Sequence, residues 1–307
     1  MNTKTKIAGI ELDSCILNAS GPKDATMEEL EAIANSASAA IMMKSCTIEP
    51  REGNEEPRLY VFPEGCFQSM GLPNLGYKKY IGFAPQLKKF KKPIIASLAG
   101  FSKDDYVTMV EAFQRSEVDL IEVNLSCPNV EGKPIVGYDF EQAEKLLKSF
   151  VGLGEKPVGL KLPAYYDMNH FQQMAKLVLK YNISFLTCIN TITSLIINPE
   201  TEATVIKPRK GIGGVSGTFI KPFGLSNVRI FYELLENKVS IMGVGGISTG
   251  TDAFEYLLAG ADAVQIATTF EKEGPGCFER INNEMKEILK RKGYNSIESA
   301  KGKLKYL

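Results

Sequence analysis

Eight short apolar runs, separated by longer stretches of helical spacing, limit most strongly what this chain can fold into. The runs are Cys15–Ala19, Ala39–Met43, Pro93–Leu98, Asp119–Asn124, Pro157–Leu162, Ser184–Ile189, Ser240–Val244 and Asp262–Ile266. They are rich in β-formers and mostly lack apolar–polar alternation, as strands buried on both faces do. Helical spacing follows over Met27–Ser36, Lys103–Gln114, Phe140–Phe150, His170–Tyr181, Gly224–Leu235 and Thr251–Ala259, with a last helix over Gly276–Lys292. Eight strand–helix units predict an α/β protein, a (β/α)8 TIM barrel. A doubly wound sheet is the runner-up, but no G-x-G-x-x-G follows the first strand. The glycine-rich stretch Gly211-Ile-Gly-Gly-Val-Ser-Gly217 does not supply one, because Ser216 breaks the spacing and no strand is expected before it. With no linker, repeat or low-complexity segment, residues 1–307 read as a single domain.

Two connections are too long for simple loops, Lys44–Lys92 and Asn190–Pro222. In a barrel both leave the C-terminal ends of strands, where active sites are built, so both read as binding loops or lids. Lys plus Arg and Asp plus Glu each number 36, so the formal charge is zero. That balance argues against a general nucleic-acid binder. No apolar run reaches the length of a membrane helix, and the N-terminus lacks the apolar stretch of a signal peptide, which predicts a soluble, cytoplasmic protein away from membranes. The six cysteines form no C-x-x-C pair and read as free thiols. With His170 the only histidine, no metal site is expected. His170 itself reads as structural or surface.

Four constellations point to chemistry. At the end of the fourth strand, Asn124-Leu-Ser-Cys-Pro-Asn129 places a thiol, Cys127, where it would serve as general base or nucleophile; the plainer reading is a buried cysteine in a turn. Lys44 and Lys161 each follow an apolar strand. A barrel-interior ammonium needs an anionic partner, so the pair suggests a phosphate or a reduced ring system, unless the side chains snorkel to the rim. Gly243-Val-Gly-Gly-Ile247 after strand seven and Gln265-Ile-Ala-Thr-Thr269 after strand eight offer backbone N–H groups to a phosphate. Asn124, Asn129 and Asn190 at strand ends, with Gln68 on the first excursion, suit a ligand of ring amides and carbonyls such as a pyrimidine, although asparagine also favours turns.

At these residues the chain resembles the dihydroorotate dehydrogenase family, in its soluble, fumarate-linked class. The motifs are Asn18-Ala-Ser-Gly21, Lys44-Ser45, Arg51-Glu-Gly-Asn54, Ser69-Met-Gly-Leu-Pro-Asn-Leu-Gly76, Asn124-Leu-Ser-Cys-Pro-Asn129, Gly132-Lys-Pro134, Val205-Ile-Lys-Pro208, Gly245-Gly246, Asp252-Ala-Phe254 and Lys292-Gly-Tyr294. The resemblance covers essentially the whole chain. It implies an FMN barrel that oxidises dihydroorotate to orotate in pyrimidine synthesis, with fumarate reoxidising the flavin, as a homodimer. Carried over by motif, Ala19, Ser20, Lys44, Ser45, Asn124, Lys161, Ile189, Gly217, Gly245, Gly246, Ala267 and Thr268 would contact FMN. Lys44, Gln68, Met70, Gly71, Leu72, Asn124, Asn129, Asn190 and Thr191 would surround the pyrimidine. Cys127 would take the C5 proton while the C6 hydride goes to the flavin, with Lys44 beside it in the catalytic group.

The chain departs from the family pattern at four places. Gln68 stands where the family usually has Asn, Asn190-Thr-Ile-Thr-Ser194 is one residue shorter than the usual stretch, and Ser216 and Ala267 replace glycines. Two other readings stay open: a paralogous flavin barrel acting on another dihydropyrimidine-like ring, and a ligand-binding barrel without turnover.

Overall fold

The computed structural model describes residues 1–126 and 135–307. Eight strands form its centre: β1 (Ile16–Asn18), β2 (Ile41–Met42), β3 (Ile94–Leu98), β4 (Leu120–Asn124), β5 (Val158–Leu162), β6 (Phe185–Cys188), β7 (Ser240–Val244) and β8 (Ala263–Ile266). Each lies inside one of the eight apolar runs. Every ladder between them is parallel, in the order β1-β8-β7-β6-β5-β4-β3-β2. The two ends of that order stand side by side, so the sheet is a barrel and not the open, doubly wound alternative.

The barrel is closed by a side chain. No ladder joins β1 to β2 among the described residues. Instead, Asn18 Nδ2 donates to Met42 O at 2.8 Å and Met42 N donates to Asn18 Oδ1 at 3.0 Å. The carboxamide acts as an inserted peptide group, supported by Ala39 N donating to Ile16 O at 2.8 Å and Asn18 N to Ser38 Oγ at 3.2 Å.

The surrounding helices are α1 (Met27–Ala34), α2 (Tyr77–Leu87), α3 (Lys103–Gln114), α4 (Phe140–Lys148), α5 (Met168–Lys180), α6 (Lys221–Leu234), α7 (Gly250–Ala259), α8 (Thr268–Glu273), α9 (Gly276–Lys292) and α10 (Ile297–Ala300). Local chemistry starts several of them. Thr26 and Glu29 form a reciprocal capping box at α1, and Thr249 and Asp252 do so at α7. Each helix turns an apolar stripe inward, as α5 does with Phe171, Met174 and Val178. Among the described residues no helix is long and apolar enough to cross a membrane.

The long excursions are more structured than expected. The first holds two strands, Leu59–Phe62 and Gly65–Gln68, as well as α2. Gly82 and Pro85 inside α2 hide its helical period. The second holds strands Ile192–Leu195 and Ile212–Gly217, so the glycine-rich stretch is itself a strand. Together the excursions build one antiparallel sheet in the order 192–195, 212–217, 65–68, 59–62. Gly65 pairs with Gly217 there, and a Cβ on Gly65 would stand 2.0 Å from Ser216 O, so the two backbones meet only because that side chain is missing. At the opposite end, an unforeseen hairpin of Thr5–Ile7 and Ile10–Leu12 plugs the barrel with buried Ile7 and Leu12, pinned by Ala8 N donating to Ser240 Oγ at 3.0 Å.

The seam generates a prediction. Asn18→Ala leaves a buried N–H and a buried C=O of Met42 without partners, a destabilisation of about 2–4 kcal/mol. Urea unfolding followed by circular dichroism reads it; a loss under about 0.5 kcal/mol would mean that the barrel closes without this carboxamide.

Candidate active site

A cavity of about 750 Å³ opens at the C-terminal ends of the barrel strands, beneath the antiparallel sheet. Its floor begins at the seam. Ser45 N donates to Ser20 Oγ at 2.7 Å, and the Ser20, Ser45 and Ser97 hydroxyls lie in a chain at 3.0 and 2.8 Å. Lys44 N donates to Asp24 O at 3.1 Å, which fixes the 19–25 loop against the end of β2. The Lys44 ammonium donates to Gly21 O and stands 3.6 Å from Asp24 Oδ1. Asp24 is fully buried, its Oδ2 accepting from Gly21 N at 2.8 Å. Burial pushes its carboxyl up to about 7, against the pull of Lys44 and the Gly21 N–H.

Lys161, on β5, is 4 % exposed and lines the cavity. Burial holds its ammonium below the usual lysine range, with Glu122 and Asp24 pulling back up and Lys44 pushing further down. Glu122 sits beneath it in the barrel interior, wholly buried, where Thr187 Oγ1 at 2.7 Å and Gln265 Nε2 at 3.0 Å donate to its Oε2. These three come from β4, β6 and β8, the alternate strands that contribute one barrel layer, so that layer is polar where aliphatic side chains are usual. Lys44 and Lys161 therefore do not snorkel to the rim; they face one cavity from two directions.

At the β7 and β8 ends the floor is backbone. Among the described residues no carbonyl or side chain accepts from the N–H groups of Gly245, Gly246 or Ala267. Gly246 has φ +66°, and a Cβ there would stand 2.7 Å from Gly217 O. Tyr256 holds the turn by donating to Gly245 O at 2.8 Å. Ser216, where the resemblance expects glycine, lies within hydrogen-bond distance of Thr268 Oγ1 and Cys66 Sγ, both at 3.0 Å. Ile189, Gly217 and Thr268 border the same space, as do Ala19 and Ser20.

Under the sheet, Asn124 Oδ1 accepts from Ser126 N at 3.0 Å and from Ser126 Oγ at 2.9 Å. Asn190 Nδ2 donates to Ser126 Oγ at 2.8 Å, and Asn190 Oδ1 accepts from Thr191 N at 2.7 Å. Gln68, one methylene longer than asparagine, folds back so that its Oε1 accepts from Met70 N at 2.9 Å. Met70 and Leu72 line the cavity, whereas Gly71 does not and turns its carbonyl to Arg51 Nε at 3.1 Å. Cys127 and Asn129 lie outside the described residues. His170 stands apart, half-buried beside the Phe140 ring at 5.4 Å.

Sequence reasoning missed Asp24, Glu122 and Thr187. One signal was available: Glu122 interrupts the apolar run Leu120-Ile-Glu-Val123, and a carboxylate in a doubly buried strand must have a partner.

The family model described as dihydroorotate dehydrogenase matches residues 2–289. The chain is 44% identical over 311 residues to a probable dihydroorotate dehydrogenase A (fumarate) of Streptococcus pneumoniae, covering 100% of this chain and 99% of that protein. It is 45% identical over 309 residues to dihydroorotate dehydrogenase A (fumarate) of Lactococcus lactis subsp. lactis, covering 99% of each. In fold it is similar to the crystal structure of DHODH in complex with ferulenol from Eimeria tenella, with a TM-score of 0.84 at 19% identity, over 98% of this chain and 88% of that one.

The Asp24 environment makes stability pH-dependent. Its folded carboxyl titrates near 7 against 3.8 unfolded, so the folded chain keeps a proton that the unfolded chain has already released. That contribution is complete below about pH 4 and is lost as pH rises to about 7. The stability difference between wild type and Asp24→Asn, from urea unfolding, is expected to move against the wild type by about 2–3 kcal/mol between pH 5 and 7. An unchanged difference would show that Asp24 does not hold that proton.

Proposed function

Because the chain belongs to the dihydroorotate dehydrogenase family, we propose that its cavity binds FMN and oxidises dihydroorotate to orotate for pyrimidine synthesis, with fumarate as the final electron acceptor. The observation that carries the reading is the convergence on one cavity of a buried ammonium, Lys161, a partly buried one, Lys44, three backbone N–H groups with no acceptor among the described residues, and paired strand-end asparagines. A space of about 750 Å³ lies within the range of sites that enclose a cofactor and a small substrate.

These residues fit FMN. The Gly245, Gly246 and Ala267 amides offer the donors a phosphate requires, with the Thr268 and Ser216 hydroxyls beside them. Lys161 would meet the electron-rich part of the ring system, where a desolvated cation acts strongly. When bound, FMN supplies the acceptor for the substrate hydride.

The chain's own residues do the rest. Lys44 presents a cation to the substrate carboxylate. The Asn124 and Asn190 amides, oriented by Ser126, supply donors and acceptors to the pyrimidine edge. Cys127, next in the sequence after Ser126, is the base that takes the C5 proton, and its position three residues after the last residue of β4 in the sequence supports that role. The antiparallel sheet excludes water over the reacting centre. The chain works in the cytoplasm as a homodimer; the exposed apolar cluster of Tyr60 and Phe219 around Phe62 supports a covered face, and sedimentation gives the mass directly.

The folded-back Gln68 favours a second reading, in which the substrate is another dihydropyrimidine, because its Oε1 is already occupied. Anaerobic dihydroorotate separates the two: the yellow holoenzyme is expected to bleach with dihydroorotate and regain colour with fumarate but not with NAD. Failure to bleach would give the site to the second reading.

Cys127→Ala is expected to retain flavin and to slow its reduction by dihydroorotate by about 10²–10⁴-fold at neutral pH. Stopped-flow absorbance measures this, and reduction at the wild-type rate would remove Cys127 from the mechanism.

A further inference from the structure

Lys44 stands between the cavity and a carboxylate that the cavity does not reach. Asp24 is fully buried on the 19–25 loop. Its Oδ2 is satisfied by Gly21 N, but its Oδ1 accepts no hydrogen bond and has only the Lys44 ammonium, at 3.6 Å. The other charged or titratable groups facing Asp24 are few. Lys161 approaches from β5, Glu29 from α1 and Tyr80 from α2. Glu29 is occupied by the N–H groups of Ala25 and Thr26, and the Tyr80 hydroxyl accepts from Leu75 N. Among the described residues, only Lys44 comes within ion-pair distance of Asp24. Glu122, the other carboxylate of the floor, also has one buried oxygen, Oε1, without a hydrogen bond, but its Oε2 accepts from Thr187 and Gln265, and among the described residues no ammonium lies within ion-pair distance of it.

A buried carboxylate that loses its counter-ion is costly unless it is neutralised. Resting on the reading of the cavity above, we propose that Asp24 takes up a proton from solvent when an anionic substrate engages Lys44, so that substrate carboxylate and Asp24 compete for one ammonium. No bond other than the new O–H of Asp24 forms, and the ammonium keeps its proton. Burial has already brought the carboxyl to about 7, so this proton is available near neutral pH. The sign follows from linkage: an anion whose arrival raises the proton affinity of Asp24 binds more tightly as pH falls, by up to about tenfold per unit above neutrality. Asp24 is thus a positioning residue, acting on the substrate only through Lys44.

Isothermal titration of the FMN-loaded protein with orotate, in two buffers of different ionisation heat at pH 7.5, tests the coupling. The wild type is expected to take up about half a proton or more per orotate bound, with its dissociation constant rising several-fold from pH 7 to 8. Asp24→Asn is expected to bind with almost no uptake and a level pH profile, a change that merely loosening the fold would not produce. Wild-type binding without uptake, or uptake that persists in Asp24→Asn, would overturn the proposal while leaving the active-site reading intact. No change in flavin absorbance with orotate would overturn both. Should Asp24→Asn not fold, wild-type protein carrying carboxyl-labelled aspartate decides the matter by infrared spectroscopy: orotate adds a protonated-carboxyl band, or the proposal fails.

Discussion

The carboxamide of Asn18 is the joint on which the active site depends. Seven ladders tie the eight strands into a curved sheet, and the last gap, between β1 and β2, is bridged by Asn18 to both backbone groups of Met42. This bridge places the loop after β1 beside the end of β2. The Ser20–Ser45 contacts, the Lys44 N–Asp24 O bond and the Lys44–Asp24 ion pair all follow from it. A change at one buried amide is therefore transmitted to the position of the Lys44 ammonium, two residues beyond Met42.

The barrel interior is charged at the level just below the cavity. Lys161, Glu122 and Asp24 are each at most 4 % exposed, and a hydrophobic layer would be the more stable filling. What these groups supply is a field at the cavity floor. Glu122 is locked by Thr187 and Gln265, and it supports Lys161 from below without reaching into the cavity. Asp24 faces the Lys44 ammonium at 3.6 Å through Oδ1, which, like Glu122 Oε1, accepts no hydrogen bond. The two lysines thus differ in anchoring: Lys44 has the Asp24 ion pair and a hydrogen bond to Gly21 O, whereas Lys161 has neither kind of partner among the described residues.

The roof is assembled from segments about 150 residues apart, exemplified by the Cys66–Ser216 contact. Close pairing at Gly65 and Gly217 lets the sheet lie flat over the strand ends. The serine at 216 then has room for its hydroxyl to reach Thr268, so the departure from glycine adds a polar contact at the phosphate end without closing the cavity.

Much of the fold was legible in the sequence, because strands buried on both faces must be continuously apolar and helices that cover them must repeat near 3.6 residues. Those periodicities located all eight barrel strands and the glycines and lysines at their ends. The antiparallel roof was not legible: its strands are short, glycine-rich and partly exposed, and they pair across distant sequence. α2 was hidden by Gly82 and Pro85, and Gly71 carried the right motif while its peptide faces Arg51. The same limit holds for charge. Sequence alone determined which residues can ionise and which strand ends carry them. Only the tertiary structure decided that Asp24 is buried against Lys44 and Glu122 beneath Lys161, because desolvation and pairing are properties of what surrounds a side chain, and those surroundings come from loops and strands remote in the chain.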